Sequence, residues 1–263
     1  MGQHYTPEYH RLISQAGETT PKRWQNHKQI VRLHKQSGAV LDLGCSSGSF
    51  LDSLKGEPWT LYGIEMSPEC AKTAEARTGA KIFIGDILDA PFPPETFDVI
   101  TCFDVLEHLY NPRQVIARVR EWLKPGGIFY VFVPNVYSAE ARVFRSYWCG
   151  LELPRHLFHF SPASLERLAS SEGLKVVSLV PTKNPSIGYS LRYFFDDLFR
   201  LFKVSRTPRA YLGPANFPWK VGRKIVRLTV LRFLLAMAPL AGQGEAIHAI
   251  FRKNVPAPEN KLV

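Results

Sequence analysis

Several stretches of this 263-residue chain set chemically competent side chains beside residues small enough to let a ligand approach. Val40–Leu51 (VLDLGCSSGSFL) runs an apolar strand through Asp42 into a turn of Gly44, Cys45, Ser46, Ser47 and Gly48, and then into a helix start. Gly44 and Gly48 have no Cβ and tolerate backbone angles that other residues avoid, so backbone amides at this turn can lie against a ligand. Acids end two later apolar runs: Glu65 in Gly63-Ile-Glu-Met66, and Asp86 in Gly85-Asp-Ile87. An ionised carboxylate is a two-oxygen acceptor, and the carboxyl end of a strand is where open α/β sheets bind ligands. Two histidines have the type and setting of proton acceptors near neutral pH: His108 in Asp104-Val-Leu-Glu107-His108, and His156 in Pro154-Arg-His156-Leu-Phe-His159. The glycine turn by itself also suits nicotinamide-binding folds, and Asp42, and still more Cys45 and Cys102, suit plain packing or turn roles.

These residues need a frame. From Gly38 to about Pro181, short β-rich apolar runs alternate with helical stretches, which is the pattern of stacked β-α units on a parallel sheet. Strands are predicted over 39–43, 60–65, 81–84, 97–102, 127–133 and 175–180, with a last one over 245–252 closing the sheet at its edge. Helix starts repeat one device, a capping residue followed by proline at the first helical position: Thr20-Pro21, Ser67-Pro68, Asn111-Pro112 and Ser161-Pro162. Gln114, three residues after Asn111, makes a capping-box variant there.

The ordered set of glycine turn, Glu65, Asp86, the run Phe97–Leu109 and then Leu123-Lys-Pro-Gly-Gly through Asn135 resembles class I S-adenosylmethionine-dependent methyltransferases. The resemblance covers about 38–181 plus the last strand; Ser46 stands where the family usually has glycine. It implies a doubly wound, Rossmann-like α/β fold with a seven-stranded sheet, mostly parallel with an antiparallel closing strand. It also implies S-adenosylmethionine as cofactor, with S-adenosylhomocysteine as product. By that likeness Asp42, Gly44, Cys45, Ser46 and Gly48 surround the methionine part, Glu65 takes both ribose hydroxyls and Met66 covers the adenine. Asp86 and Ile87 reach the adenine edge, and Phe103 and Asp104 border the cofactor and acceptor. His108 and His156 are then the candidate catalytic bases. Asp104, Glu107 and His108 resemble a cluster suggested as a divalent-metal site in ubiquinone-pathway O-methyltransferases. Many relatives carry the Glu-His pair with no metal requirement, and no metal is assigned.

Composition narrows the partners. Cys45, Cys70, Cys102 and Cys149 are widely spaced with no metal-site pairing, and the polar N-terminus has no signal-peptide apolar run, so a cytoplasmic protein is expected. The net charge of +10 is concentrated: between Ser186 and Gly242 ten Lys and Arg face two Asp, a net +8. That basic, aromatic-rich stretch places apolar residues at mainly helical spacing and is expected to be a helical insertion before the last strand. It suits a lid over the acceptor, a dimer contact, or an anionic membrane surface on the inner face of the membrane. The expected organisation is a helical cap (1–37), a cofactor domain (38–185 with 243–254), the insertion (186–242) and a flexible tail (255–263). The expected acceptor is a small or lipid-linked molecule with an O or N nucleophile. An RNA methyltransferase using the +8 stretch and a non-catalytic nucleotide-binding module are the competing classes; clustered rather than spread phenylalanines count against RNA.

Overall fold

The computed structural model describes residues 21–182, 189, 190, 192–194 and 244–255. Seven strands form one sheet: β1 (Gly38–Leu43), β2 (Trp59–Glu65), β3 (Lys81–Ile84), β4 (Phe97–Phe103), β5 (Leu123–Pro134), β6 (Leu174–Thr182) and β7 (Ala246–Lys253). Their order is β3-β2-β1-β4-β5-β7-β6, with β1 to β5 parallel and antiparallel pairing near the end. One expectation is corrected. β7 lies between β5 and β6 and is almost wholly buried, while β6 takes the edge and exposes Val176, Val177 and Val180. The alternation of EAIHAIFR is weak because both faces of β7 are covered, as for interior strands of such sheets.

The helices begin where proline was expected to start them: α1 (Pro21–His34), α3 (Pro68–Thr78), α4 (Pro112–Trp122) and α6 (Pro162–Ser171); α2 (Ser49–Ser53) and α5 (Ala139–Phe144) are short. Ser67 accepts from the Cys70 amide, and Ser161 forms a full capping box with Ser164. Asn111 makes no side-chain cap, because its backbone (φ −128°, ψ 66°) lies off the extended cap geometry. The core of the sheet packs Leu41, Leu43, Ile100, Trp122, Phe129 and Val131 at zero exposure.

The described residues divide into two compact units. The first holds 21–134, 153–180 and 247–255, with the sheet and all but one of the helices named above. The second holds 135–152, 181, 182, 189, 190, 192–194 and 244–246. Within it, the Asn135 side chain donates to the Gly244 carbonyl (2.8 Å) and accepts from the Tyr137 amide (3.0 Å). There the Ser190 hydroxyl donates to the buried Glu140 carboxylate and accepts from the Cys149 amide (2.8 Å). The rest of the expected insertion, its basic residues apart from Arg192 included, lies outside the described residues, as do the expected tail from 256 onward and the first twenty residues of the helical cap.

Candidate active site

The carboxyl ends of β1 to β4 stand side by side because the strands run in register, Leu43 beside both Ile64 and Cys102, and Glu65 beside Ile84. Gly44 (φ 67°) and Gly48 (φ 77°) both take left-handed conformations, and a Cβ on Gly44 would come within 2.6 Å of Val105 Cγ2. Ser46 holds the same region at φ 48° without glycine's freedom. Its amide donates to Glu65 Oε2 (2.9 Å), while Oε1 accepts from the Ser67 amide (2.8 Å). Glu65, 7% exposed, therefore ties the turn to the start of α3. Asp42 is buried behind the turn and accepts from the Thr101 hydroxyl (2.6 Å); burial pushes its pKa up to about 7, Thr101 opposing and the Glu65 charge adding.

Cys45 turns its thiol onto Gly63, where a Cβ would sit 2.6 Å from Sγ, so this side chain packs β1 on β2 and burial raises its pKa. Met66 is half exposed at the rim. Asp86 caps a short 3-10 turn, Oδ1 accepting from the Leu88 amide (2.9 Å), and Ile87 is buried. Phe103 packs edge-on against Phe50 and Tyr130 with ring centroids 4.9 Å apart in each pair. Asp104 follows at φ 53°, its amide held by the Phe132 carbonyl (2.9 Å) and its carboxylate paired with Arg23 of α1.

Beyond Asp104 the chain forms a turn, Leu106–His108, and the loop carrying His156 is fastened onto it: the Leu157 and Phe158 amides both donate to the Glu107 carbonyl (2.8 and 3.1 Å). Donor atoms of Glu107, His108 and His156 come within 4.8 Å of one another. His108 Nδ1 lies 3.0 Å from the Arg155 carbonyl. A carbonyl only accepts, so Nδ1 carries the proton and Nε2 keeps the basic lone pair. Burial lowers the His108 pKa to about 4, the Arg155 carbonyl opposing and His156 adding. The Glu107 side chain is buried with both oxygens lacking a hydrogen-bond partner, and burial, reinforced by Asp104, raises its pKa well above the usual carboxylate range. Both expected histidines thus share one cluster. Asp104 is not part of it: its carboxylate is held by Arg23, and His156 completes the set.

Sequence reasoning missed Arg23, Glu107 as a buried unpartnered acid, and a polar group formed by His27, Tyr130 and His248. Arg23 and His27 lie four apart on α1, a same-face spacing that would have signalled a shared role.

A family model described as "Methyltransferase domain" matches residues 15–179. A ubiquinone biosynthesis O-methyltransferase of Thiobacillus denitrificans is 31% identical over 160 residues, 56% of this chain and 68% of that protein. Among solved structures, a SAM-dependent methyltransferase from Archaeoglobus fulgidus superposes with a TM-score of 0.61 at 14% identity, covering 93% of this chain and all of that one. A phosphoethanolamine N-methyltransferase of Haemonchus contortus, solved with S-adenosyl-L-methionine, gives 0.54 at 14% identity, covering 89% and 53%. At these identities the structures speak for the fold alone.

Proposed function

Since the chain belongs to the S-adenosylmethionine-dependent methyltransferases, we propose that it methylates a hydroxyl oxygen of a small or amphipathic acceptor, with His156 and His108 taking the proton released. The observation that carries this reading is the Glu107–His108–His156 cluster next along the chain from the strand ends that cradle a cofactor. Resemblance to ubiquinone biosynthesis O-methyltransferases favours oxygen as the nucleophile.

The strand-end residues fit an adenosyl sulfonium. The glycine turn brings Gly44, Ser46 and Gly48 backbone to the methionine part, with Asp42 and Cys45 packed behind it. Glu65 has lone pairs beyond the two amides it serves and is the acceptor for the ribose hydroxyls. Half-exposed Met66 covers the adenine, while the free Asp86 oxygen and the Ile87 amide meet its edge. Phe103 and Asp104 border the sulfonium. Val105 touches Gly44, and Asp104 beside it holds Arg23, so the guanidinium stands ready for the methionine carboxylate. Bound S-adenosylmethionine supplies a methyl group on a good leaving group, and what the protein must add is alignment and a proton acceptor. His108, fixed by Arg155, presents Nε2. The single proton leaving the hydroxyl goes to His108 Nε2 or to the His156 ring, whose nitrogen lies within 4.8 Å of the cluster's other donor atoms.

Product S-adenosylhomocysteine, measured across a panel of phenols, catechols and amines, tests the reading. We expect turnover on hydroxyl acceptors, and His108→Gln and His156→Gln to lower it roughly 10²–10⁴-fold without loss of cofactor binding. Undiminished turnover in both variants would remove the base from the mechanism. A second reading rests on the same cluster: one carboxylate and two imidazoles fit a borderline divalent cation, in place of the Asp104-Glu107-His108 set that the resemblance suggested. Activity unchanged in excess chelator would eliminate it.

The basic, aromatic stretch 186–242 makes an anionic membrane surface the natural source of an amphipathic acceptor. No helix among the described residues is long and apolar enough to cross a membrane. Sedimentation with phosphatidylglycerol liposomes should recover the intact chain and lose it when 186–242 is deleted; an intact chain that stays in the supernatant contradicts this.

A further inference from the structure

Under Phe103 and Phe132, three side chains from distant parts of the chain form a polar knot in apolar surroundings. His27 Nδ1 of α1 lies 2.7 Å from the Tyr130 hydroxyl of β5, and the same hydroxyl lies 2.5 Å from His248 Nδ1 of β7. Tyr130 is fully buried and His27 2% exposed. The His27 ring packs on Phe103 (4.3 Å), Phe132 (5.2 Å) and His248 (5.2 Å). Neither imidazole is charged in this setting: burial, with Arg23 adding, lowers His27 to about 2 and His248 to about 4, the Asp104 charge opposing in the latter.

The phenol has one proton and two nitrogens facing it. It therefore donates to one Nδ1 and accepts from the other, so one imidazole carries its proton on Nδ1 and the other on Nε2. Either tautomer assignment satisfies all three groups only while the two Nδ1 atoms stay on the hydroxyl, and a buried polar atom that loses its partner is expensive. The knot thus gives α1 a single seat on the sheet. Arg23 sits four residues before His27 on the same helix face, about 6 Å along the axis. Its guanidinium lies over Trp24 (4.8 Å) and Phe132 (5.2 Å) as it reaches Asp104. One residue past His27 in mid-helix, Lys28 pairs with Glu57 and donates to the Ser53 carbonyl (2.8 Å), contacts that keep the helix docked.

We propose that Tyr130 is a positioning residue for cofactor binding, acting through His27 to set Arg23 at the rim of the pocket. This rests on the reading of Arg23 given above and adds what fixes it in place. Calorimetric titration of the purified chain with S-adenosylhomocysteine needs no acceptor. We expect Tyr130→Phe and Arg23→Gln each to weaken binding roughly tenfold, and the double variant to bind within about twofold of Arg23→Gln, since both act through one contact. A merely structural role would instead multiply the two losses. Tyr130→Phe within twofold of the parent, or a double variant weaker by the product, overturns the proposal while leaving Arg23's role standing. Arg23→Gln without effect in a chain that still binds overturns both. His27→Phe, which preserves the aromatic surroundings, is the second probe if Tyr130→Phe has no cooperative melt, and the same coupling with Arg23→Gln is expected of it.

Discussion

Gly44 and Ser46 share one turn and carry opposite predictions. Gly44→Ala meets both a left-handed backbone and Val105 at 2.6 Å, so it should destabilise by about 1–3 kcal/mol and weaken cofactor binding. Ser46→Gly removes a left-handed cost of about 1–2 kcal/mol and returns about 0.5–1 kcal/mol of unfolded-chain entropy, leaving a net gain of about 0–1.5 kcal/mol. Urea midpoints at constant slope separate the two; equal signs for both would contradict the backbone argument. At this scale the sequence was informative where chemistry is local. Glu65 and Asp86 could be found because an acid at the end of an apolar run stands out against its neighbours. Tyr130 and His248 could not: their partners lie 103 and 118 residues away, and no periodicity encodes a contact of that kind.

Among the elements, the Ser/Asn-Pro helix starts were the most legible, since proline fixes φ and the preceding residue caps within three positions. Two of them make a matched test. Ser161→Ala dismantles a full capping box and should cost about 1 kcal/mol, whereas Asn111→Ala removes a side chain that caps nothing and should be close to neutral. Thermal midpoints that fall equally would show that the difference between the two helix starts has no energetic weight. The place of β7 was not legible. Strand order depends on which neighbours cover both faces, and a weakly alternating eight-residue run fits an edge or an interior slot until those neighbours are known.

For the molecule as a whole, buried ionisable groups set a pH dependence of stability. His27, His108 and His248 have folded pKa values below the ordinary 6.5, so the unfolded chain binds protons that the fold does not, and their contribution is lost as pH falls from about 6.5 toward 4. Asp42 and Glu107 are shifted upward, so the fold keeps protons that the unfolded chain has released, and their contribution is lost as pH rises, for Asp42 through about 7. Three imidazoles against two carboxyls leave a net of about one proton between pH 4.5 and 6, less a discount for half-buried His248. Stability should therefore fall by about 1 kcal/mol per pH unit on acidification and be greatest near pH 6 to 6.5. Denaturation midpoints from pH 4.5 to 7.5 check this, and a flat profile would mean that the imidazoles are hydrated rather than buried.

The insertion of β7 between β5 and β6 also bears on how the chain is made. A ribosome delivers β5 and β6 long before residues 246–253, so for that whole interval two strand edges that end up joined to β7 stay open. The sheet can be completed only after residues 246–253 have emerged, and in the meantime those edges invite pairing with other nascent chains. Synthesis itself thus imposes a waiting period in which helper proteins have something to shield.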